Sequence, residues 1–410
     1  MILHADDDTS VSAASPLPAA QRIEALDVLR GLALFGVIVI HAVFEFRVSI
    51  FQQFLPDSGD LPPVDRAVQG FLAGAVELKA FALFSLLFGA GLAIQFDRLA
   101  NNPRRTVLLL RRLVVLLLIG AVHLVLIWNG DILVEYAVAG LVVLPLLFGP
   151  RWLALTLAAA SLLYFIAMPL LPPPVAFPSN GWIRAHIAEA ARVYGGGGFS
   201  DVLAFRISEI PAILPLHVLI FPRTVALFLF GALAWRAGLL REVPQRPGLL
   251  CATAIAGIVC GGALTLAATA DIPFAFRLST RSGEVAERLG SILLAAGYAA
   301  AVLAVTANPA GKKLLGWAAP VGRMAFSNYL AQSLILGFIF YGYGLSLFGR
   351  VSVTAALAIA LAVYAAQAAV SAWWLQRWRY GPVEWLWRSL MYGARQPMRL
   401  HRRPREGGDP

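Results

Sequence analysis

The chain has 410 residues, of which 59% are hydrophobic and 14% charged, against roughly 25% charged in soluble domains. That balance excludes a soluble globular enzyme and a disordered chain, and it fits a polytopic membrane protein. The net charge of +10 would suit nucleic acid in a soluble domain. Here basic loops on one side of a bilayer account for it, and no nucleic-acid partner is expected.

Residues 1–21 are polar without the Lys/Arg-rich start of a leader, and are expected to be disordered. The apolar run that follows has no small-residue cleavage site, so it reads as a retained first span over 29–46. Further stretches of spanning length lie at 68–96, 108–128, 131–149, 151–171, 212–235, 249–270, 289–308, 319–343 and 351–375. The expectation is an all-α integral membrane domain over 22–397 with about ten transmembrane helices. An insert at 172–211, with Pro172 to Pro174 and the run Gly195 to Gly198, is too polar and broken to span. The segment 271–288 reads as a short interfacial element, and the basic tail 398–410 as disordered. Cys251 and Cys260 share one apolar stretch, with neither metal-ligand spacing nor a disulfide expected.

Orientation follows from the basic residues. With the N-terminus in the cytoplasm, 22 of the 33 Lys and Arg fall in cytoplasmic segments and nine in outer ones, while Lys79 and Arg223 lie within spans. The expected topology is N-in and C-in, in a bacterial cytoplasmic membrane.

Ionisable groups inside spans are costly and default to functional candidates. Arg30 and His41 are eleven residues apart, and steps of about 100° return both to one helix face. They lie roughly 16 Å apart along the axis, Arg30 at the cytoplasmic mouth and His41 in the outer half. Glu45 is one turn further on that face. His123 lies near the outer end of the third span. Asp131 opens the fourth, with Glu135 one turn inward. Glu77 and Lys79 sit in the second span, and His217 and Arg223 in the sixth. Histidines and carboxylates at similar depth, lining one internal cavity, are what general acid–base chemistry or a proton relay needs. The alternative is a buried polar network that only fixes the fold. No His-x-x-x-His pair lies on one helix, which speaks against a metal site. Arg104, Arg105, Arg111 and Arg112 gather at the mouth of the third span, where Arg30 and Arg323 should also lie. They satisfy the positive-inside rule, and they also suit a phosphate-binding vestibule. Asn328 and Gln332 share a face of the ninth span, which implies an interior face.

Several stretches together resemble one family. "RIEALDVLRGLALFGVIVIH", "ELKAFALFSLLFGAGLAIQ", "GDILVEYAVAGL", "VGRMAFSNYLAQSLI" and "WWLQRWRYGPVEWLWRSLMYG" are similar to blocks of the YeiB family of bacterial multi-pass membrane proteins, from Arg22 to Pro397. The resemblance extends at a distance to the transmembrane acyltransferases, among them heparan-alpha-glucosaminide N-acetyltransferase and bacterial sugar O-acyltransferases. The O-acyltransferases carry an Arg, ten residues and a His in the first span, the spacing of Arg30 and His41. The resemblance implies His41 as the catalytic histidine; on the reading of the buried groups above, Asp131 or Glu135 would orient it, with His123 and Glu77 as further candidates. It implies Arg30, with Arg111, Arg112 and Arg323, as the binding group for an acyl-CoA donor. It implies no permanently bound cofactor, and a small-molecule or glycan acceptor at the outer face. The rival expectation is a proton-coupled permease, since paired ionisable groups and Gly-rich breaks serve transporters as well.

Overall fold

The computed structural model describes residues 23–55, 61–240, 247–269 and 280–399. The expected disordered segment 1–21 and residues 400–410 lie outside the described residues. Among the described residues, eight helices are long and apolar enough to cross a membrane, joined by two shorter apolar helices, Leu133–Leu146 and Ala325–Phe340. Those ten elements fall on the ten expected stretches, and the chain is an all-α polytopic membrane protein.

Helix α1, Glu24–Ile40, is apolar on every face except its first turns and lies at the centre of the bundle, buried on all sides. At His41 it widens into a π-helical segment, His41–Phe46. Helices α2, Pro63–Ala75, and α3, Lys79–Arg98, form the second span, which is broken at Val76–Leu78 rather than continuous. Freed carbonyls at the break find donors: Lys79 Nζ reaches Ala73 O at 3.2 Å and Tyr298 Oη reaches Ala75 O at 3.1 Å. Such repair is what allows non-helical backbone at membrane depth. Helix α4, Arg105–Val122, also widens at a histidine, into the π-helical segment His123–Ile127. A short loop, Trp128–Ile132, then leads into α5, Leu133–Leu146, and α6 follows at Arg151–Ala167.

The insert at 172–211 differs from expectation. It holds a helix, α7, Asn180–Gly196, and its last part belongs to α8, Phe199–Arg236. At 38 residues α8 is about 57 Å long, well beyond the ~30 Å hydrocarbon core, so the sixth span projects as one rod past the bilayer. Pro211, Pro215 and Pro222 lie inside this helix; the expected span 212–235 already ran through the last two, and the helix extends it back to Phe199. The glycine run is not a free loop. Tyr194 O accepts from Gly342 N at 2.7 Å, and Gly195 O accepts from Ser346 Oγ and from Arg350. A Cβ on Gly342 would sit 2.6 Å from the Gly197 carbonyl oxygen, so that backbone approach needs glycine.

Helix α9, Pro247–Thr269, packs against α10, Thr280–Thr306, through Gly257, Gly261, Gly290 and Gly297, the small-residue contact common between membrane helices. Its other faces present Leu249, Ile255, Val259 and Leu266 outward, as lipid contact requires. The free thiols of Cys251 and Cys260 are exposed there. Residues 280–288, expected as part of an interfacial element, are the first turns of α10. The rest of the fold is α11, Pro309–Leu315; α12, Ala319–Arg323; α13, Ala325–Phe340; α14, Val353–Leu375; and α15, Pro382–Tyr392. After α15 the chain returns, and Arg379 N bonds Met398 O at 2.9 Å. The expected disordered tail therefore starts after Arg399 at the earliest. Asn328 and Gln332 do face inward, bonded to Ser371 and Gln367 of α14 at 2.9 and 2.8 Å.

Candidate functional site

A cavity of about 1030 Å³ enters the bundle at the end that carries Arg30. Its wall holds seven basic side chains, Arg30, Arg98, Arg112, Lys312, Arg323, Arg379 and Arg388, against three acidic ones, Glu24, Asp27 and Glu384. Along α1 the lining runs from Ile23 to Val37, a rise of about 21 Å. Its deep end is apolar and aromatic, formed by Val37, Phe88, Leu116, Ile132, Tyr136 and Tyr329. The cavity therefore fits an elongated ligand that is anionic at one end and apolar at the other.

Arg30 is held by Asp27 at 2.8 Å. The Arg112 guanidinium lies 4.0 Å from the Trp387 ring centroid, and Trp387 Nε1 donates to Arg112 O at 2.8 Å. Three of the four arginines expected to bind a donor, Arg30, Arg112 and Arg323, line the cavity. Arg111 does not: one residue is a turn of about 100°, and its side chain is exposed and lies beside Gly393. At the rim, the Glu384 carboxylate accepts from Phe326 N at 2.8 Å, Ser327 N at 3.0 Å and Ser327 Oγ at 2.5 Å, capping α13 and pinning α15 across the opening. Burial raises the Glu384 carboxyl above its ordinary value, and the hydrogen bonds from Ser327 and Phe326 oppose that shift.

Beyond the deep end lies a layer built on the two widened helix segments. His41 is 0% exposed, with Trp128 at 4.4 Å, Phe81 and Tyr329 at 6.0 Å and Phe46 at 6.4 Å between ring centroids. Among the described residues neither of its nitrogens has a hydrogen bond, and Glu45 Oε2 lies 3.5 Å from Nε2. His123, also 0% exposed, stands 5.2 Å from the Tyr329 ring and bonds Asp131 Oδ1 through Nδ1 at 2.7 Å. Asp131 Oδ2 in turn accepts from Val134 N at 2.8 Å, capping α5. His123 Nε2 has no hydrogen-bond partner. Buried polar atoms nearly always have partners, and π-helical segments recur at functional sites. Both features here converge on the same pair of imidazoles.

None of the five expected catalytic residues lines the vestibule, but His41 and Asp131 do come together with one of the other three. His41, His123 and Asp131 form the layer just described, and Tyr329 walls it off from the vestibule. Asp131 orients His123 instead of His41. Glu135 is engaged elsewhere, accepting from Thr224 Oγ1 and pairing with His217 Nδ1 at 2.9 Å. Glu77 sits at the break between α2 and α3, with Lys79, Glu287 and Glu45 as its charged neighbours. The reason is geometric: each widened segment shifts the faces of the residues after it, so uniform helical spacing no longer holds. Among the described residues no three His, Cys, Asp or Glu side chains converge to hold a metal ion.

A further buried cluster lies at the far end of the bundle, in the segment read as a polar insert. Glu209 of α8 accepts from Asn129 Nδ2 at 2.8 Å and from Tyr194 Oη, and pairs with His186 Nε2 at 2.6 Å. His186 is sandwiched between Trp182 at 4.4 Å and Phe205 at 5.0 Å. Burial, followed by the Glu209 carboxylate, holds the Tyr194 phenol well above its ordinary range, so it remains a donor. The available signal was Arg206 and Glu209 on successive turns of an otherwise apolar stretch.

This geometry belongs to a chain with clear relatives. YxaH of Bacillus subtilis (strain 168), an uncharacterized protein, is 33% identical over 95% of this chain and 98% of its own length. The chain belongs to the YeiB-like DUF418 family. YeiB of Escherichia coli (strain K12), also uncharacterized, is 28% identical over 92% of the chain and 98% of itself. The DUF418 model, described as a protein of unknown function, matches residues 234–394. That range contains Lys312, Arg323, Tyr329, Arg379, Glu384 and Arg388 of the vestibule wall. The DUF418 match stops short of Arg30, His41, His123 and Asp131, whereas the full-length relatives span both halves of the site. No solved structure matches the chain.

Proposed function

We propose that the protein is an acyltransferase of the bacterial cytoplasmic membrane, moving an acyl group from a cytoplasmic acyl-CoA to a small-molecule or glycan acceptor at the outer face. The observation that carries this reading is the vestibule: a basic entrance, an apolar deep end, and two buried imidazoles one aromatic ring beyond it. In this reading the N- and C-termini face the cytoplasm, where CoA is available. Arginines bind phosphate bidentately, so Arg30, Arg112 and Arg323 would hold the CoA phosphates. The thioester arm would run along the α1 face toward Val37 and the histidines, which handle protons. The Arg-x10-His spacing of Arg30 and His41 matches that of the sugar O-acyltransferases named above.

Calorimetry with acetyl-CoA on the purified, detergent-solubilised chain tests this. Binding is expected, weakened tenfold or more in Arg30→Ala and partly restored in Arg30→Lys, whose ammonium lacks the planar fork. A wild-type chain without acetyl-CoA affinity would sink the reading. A permease, the second reading, would then lead: the break between α2 and α3 with Glu77 and Lys79 beside it is a transporter-like feature.

A further inference from the structure

We propose that His123, oriented by Asp131, is the general base of the transfer step, in place of His41. This rests on the acyltransferase reading and assigns a residue within it.

A general base must present a lone pair and must be held so that it presents the right one. A carboxylate only accepts hydrogen bonds. Asp131 Oδ1 at 2.7 Å from His123 Nδ1 therefore places the proton on Nδ1 and leaves the lone pair on Nε2. That Nε2 is buried and, among the described residues, has no hydrogen-bond partner. Asp131 is itself fixed, because its other oxygen caps α5 through Val134 N. The result is the base-and-orienter half of a catalytic triad. His41 has no such support. Among the described residues both its nitrogens lack a hydrogen-bond partner, and Glu45, 3.5 Å away, makes none, so no hydrogen bond fixes its tautomer as Asp131 does for His123.

Position agrees with this assignment. Tyr329 lines the deep end of the vestibule on one side. Its other side meets the His123 ring at 5.2 Å and the His41 ring at 6.0 Å. A thioester delivered to the end of the cavity is thus separated from both imidazoles by one aromatic ring, and Tyr329 must turn aside for the reaction. In the step itself, the acceptor's hydroxyl or amine attacks the thioester carbonyl carbon and gives its proton to His123 Nε2. The new C–O or C–N bond forms as the C–S bond breaks. The imidazolium then returns that proton to the departing CoA sulfur, giving acylated acceptor and free CoA. Asp131 keeps its hydrogen bond to Nδ1 throughout and stabilises the transient imidazolium.

A buried His–Asp pair can instead be a staple between α4 and α5, so the test separates chemistry from folding. The full-length chain, in native bacterial membrane vesicles as the acceptor source, is given labelled acetyl-CoA. CoA release and label transfer are followed, with acetyl-CoA affinity measured by calorimetry on the purified protein. His123→Gln and Asp131→Asn are expected to lower kcat by about 10²- to 10⁴-fold while acetyl-CoA affinity and KM stay within about twofold. Asp131→Glu should recover part of the rate. His41→Gln should cost less than about tenfold in kcat. The reverse order, an active His123→Gln beside a dead His41→Gln, overturns the assignment. Joint loss of thermal stability and acetyl-CoA affinity in both His123→Gln and Asp131→Asn would mark a staple and overturn it too. A wild-type chain that binds no acetyl-CoA, or binds it and releases no CoA, defeats the acyltransferase reading itself.

Discussion

Asn129, in the loop after α4, donates a hydrogen bond of 2.8 Å to Glu209 of α8, eighty positions later, and both side chains are buried. That bond is one of several contacts that fix the loop between α4 and α5. Trp128 packs on His41, Asn129 holds Glu209, and Asp131 holds His123. The far-end cluster is therefore coupled to the histidine layer through four consecutive residues.

Removing the acceptor at the centre of this cluster leaves buried donors without partners. Glu209→Ala is expected to destabilise the fold by about 1–3 kcal/mol for each donor so stranded, while Tyr194→Phe, which removes one bond, should cost about 1 kcal/mol. Thermal denaturation in detergent measures both. Melting temperatures equal to wild type would show that the cluster carries no structural energy.

The same tyrosine gives a pH signature. Its phenol is raised in the folded state, so above about pH 10 the unfolded chain releases a proton that the folded chain retains. Stability then falls as pH rises through that range. Other buried tyrosines would share the effect, so the check is a difference: Tyr194→Phe should lose stability between pH 9 and 11 less steeply than wild type, by about one proton's share. Parallel curves would contradict it.

Adjacent arginines provide an internal control for the vestibule. Arg112 lines it and stacks on Trp387, whereas Arg111 is exposed and outside it. Arg112→Ala is expected to weaken acetyl-CoA binding by tenfold or more, and Arg111→Ala to leave it unchanged. Equal losses in the two variants would mean that general positive charge, and not the cavity, attracts the anion.

Topology can be read with reporter fusions. Fusions after residues 105 and 312 should report the cytoplasm, and a fusion after residue 190, inside α7, the outer side. A cytoplasmic signal at 190 would invert the proposed direction of transfer.

The ten spans were legible because a length of continuous apolar sequence is a one-dimensional property. The basic entrance was legible for a similar reason: Arg30, Arg112 and Arg323 all flank span ends. Pairings were not. His123 and Asp131 are both conspicuous in the sequence, but their contact needs a π-helical segment and a tight loop between them, and neither has a composition signal. Asp131 and Glu135 do share a face by spacing, yet one turns to His123 and the other to His217 and Thr224. Glu209 and His186 were missed for a different reason. Both lie in 172–211, whose polar, Pro- and Gly-broken composition read as an insert, whereas it holds α7 and the first turns of α8.

The widened segments at His41 and His123 have a consequence for how the chain tolerates length changes. A π turn holds one residue more than an α turn of the same height. Deleting one residue elsewhere in α1 or α4 rotates everything beyond it by about 100° and turns a packed face outward. Deleting Val43 or Leu124 would instead let the last turn close to α geometry, with the helix before it keeping its original facing. The core should then assemble while the histidine layer loses its shape, so each segment behaves as a one-residue insertion placed where the fold can absorb it and the histidine layer cannot spare it.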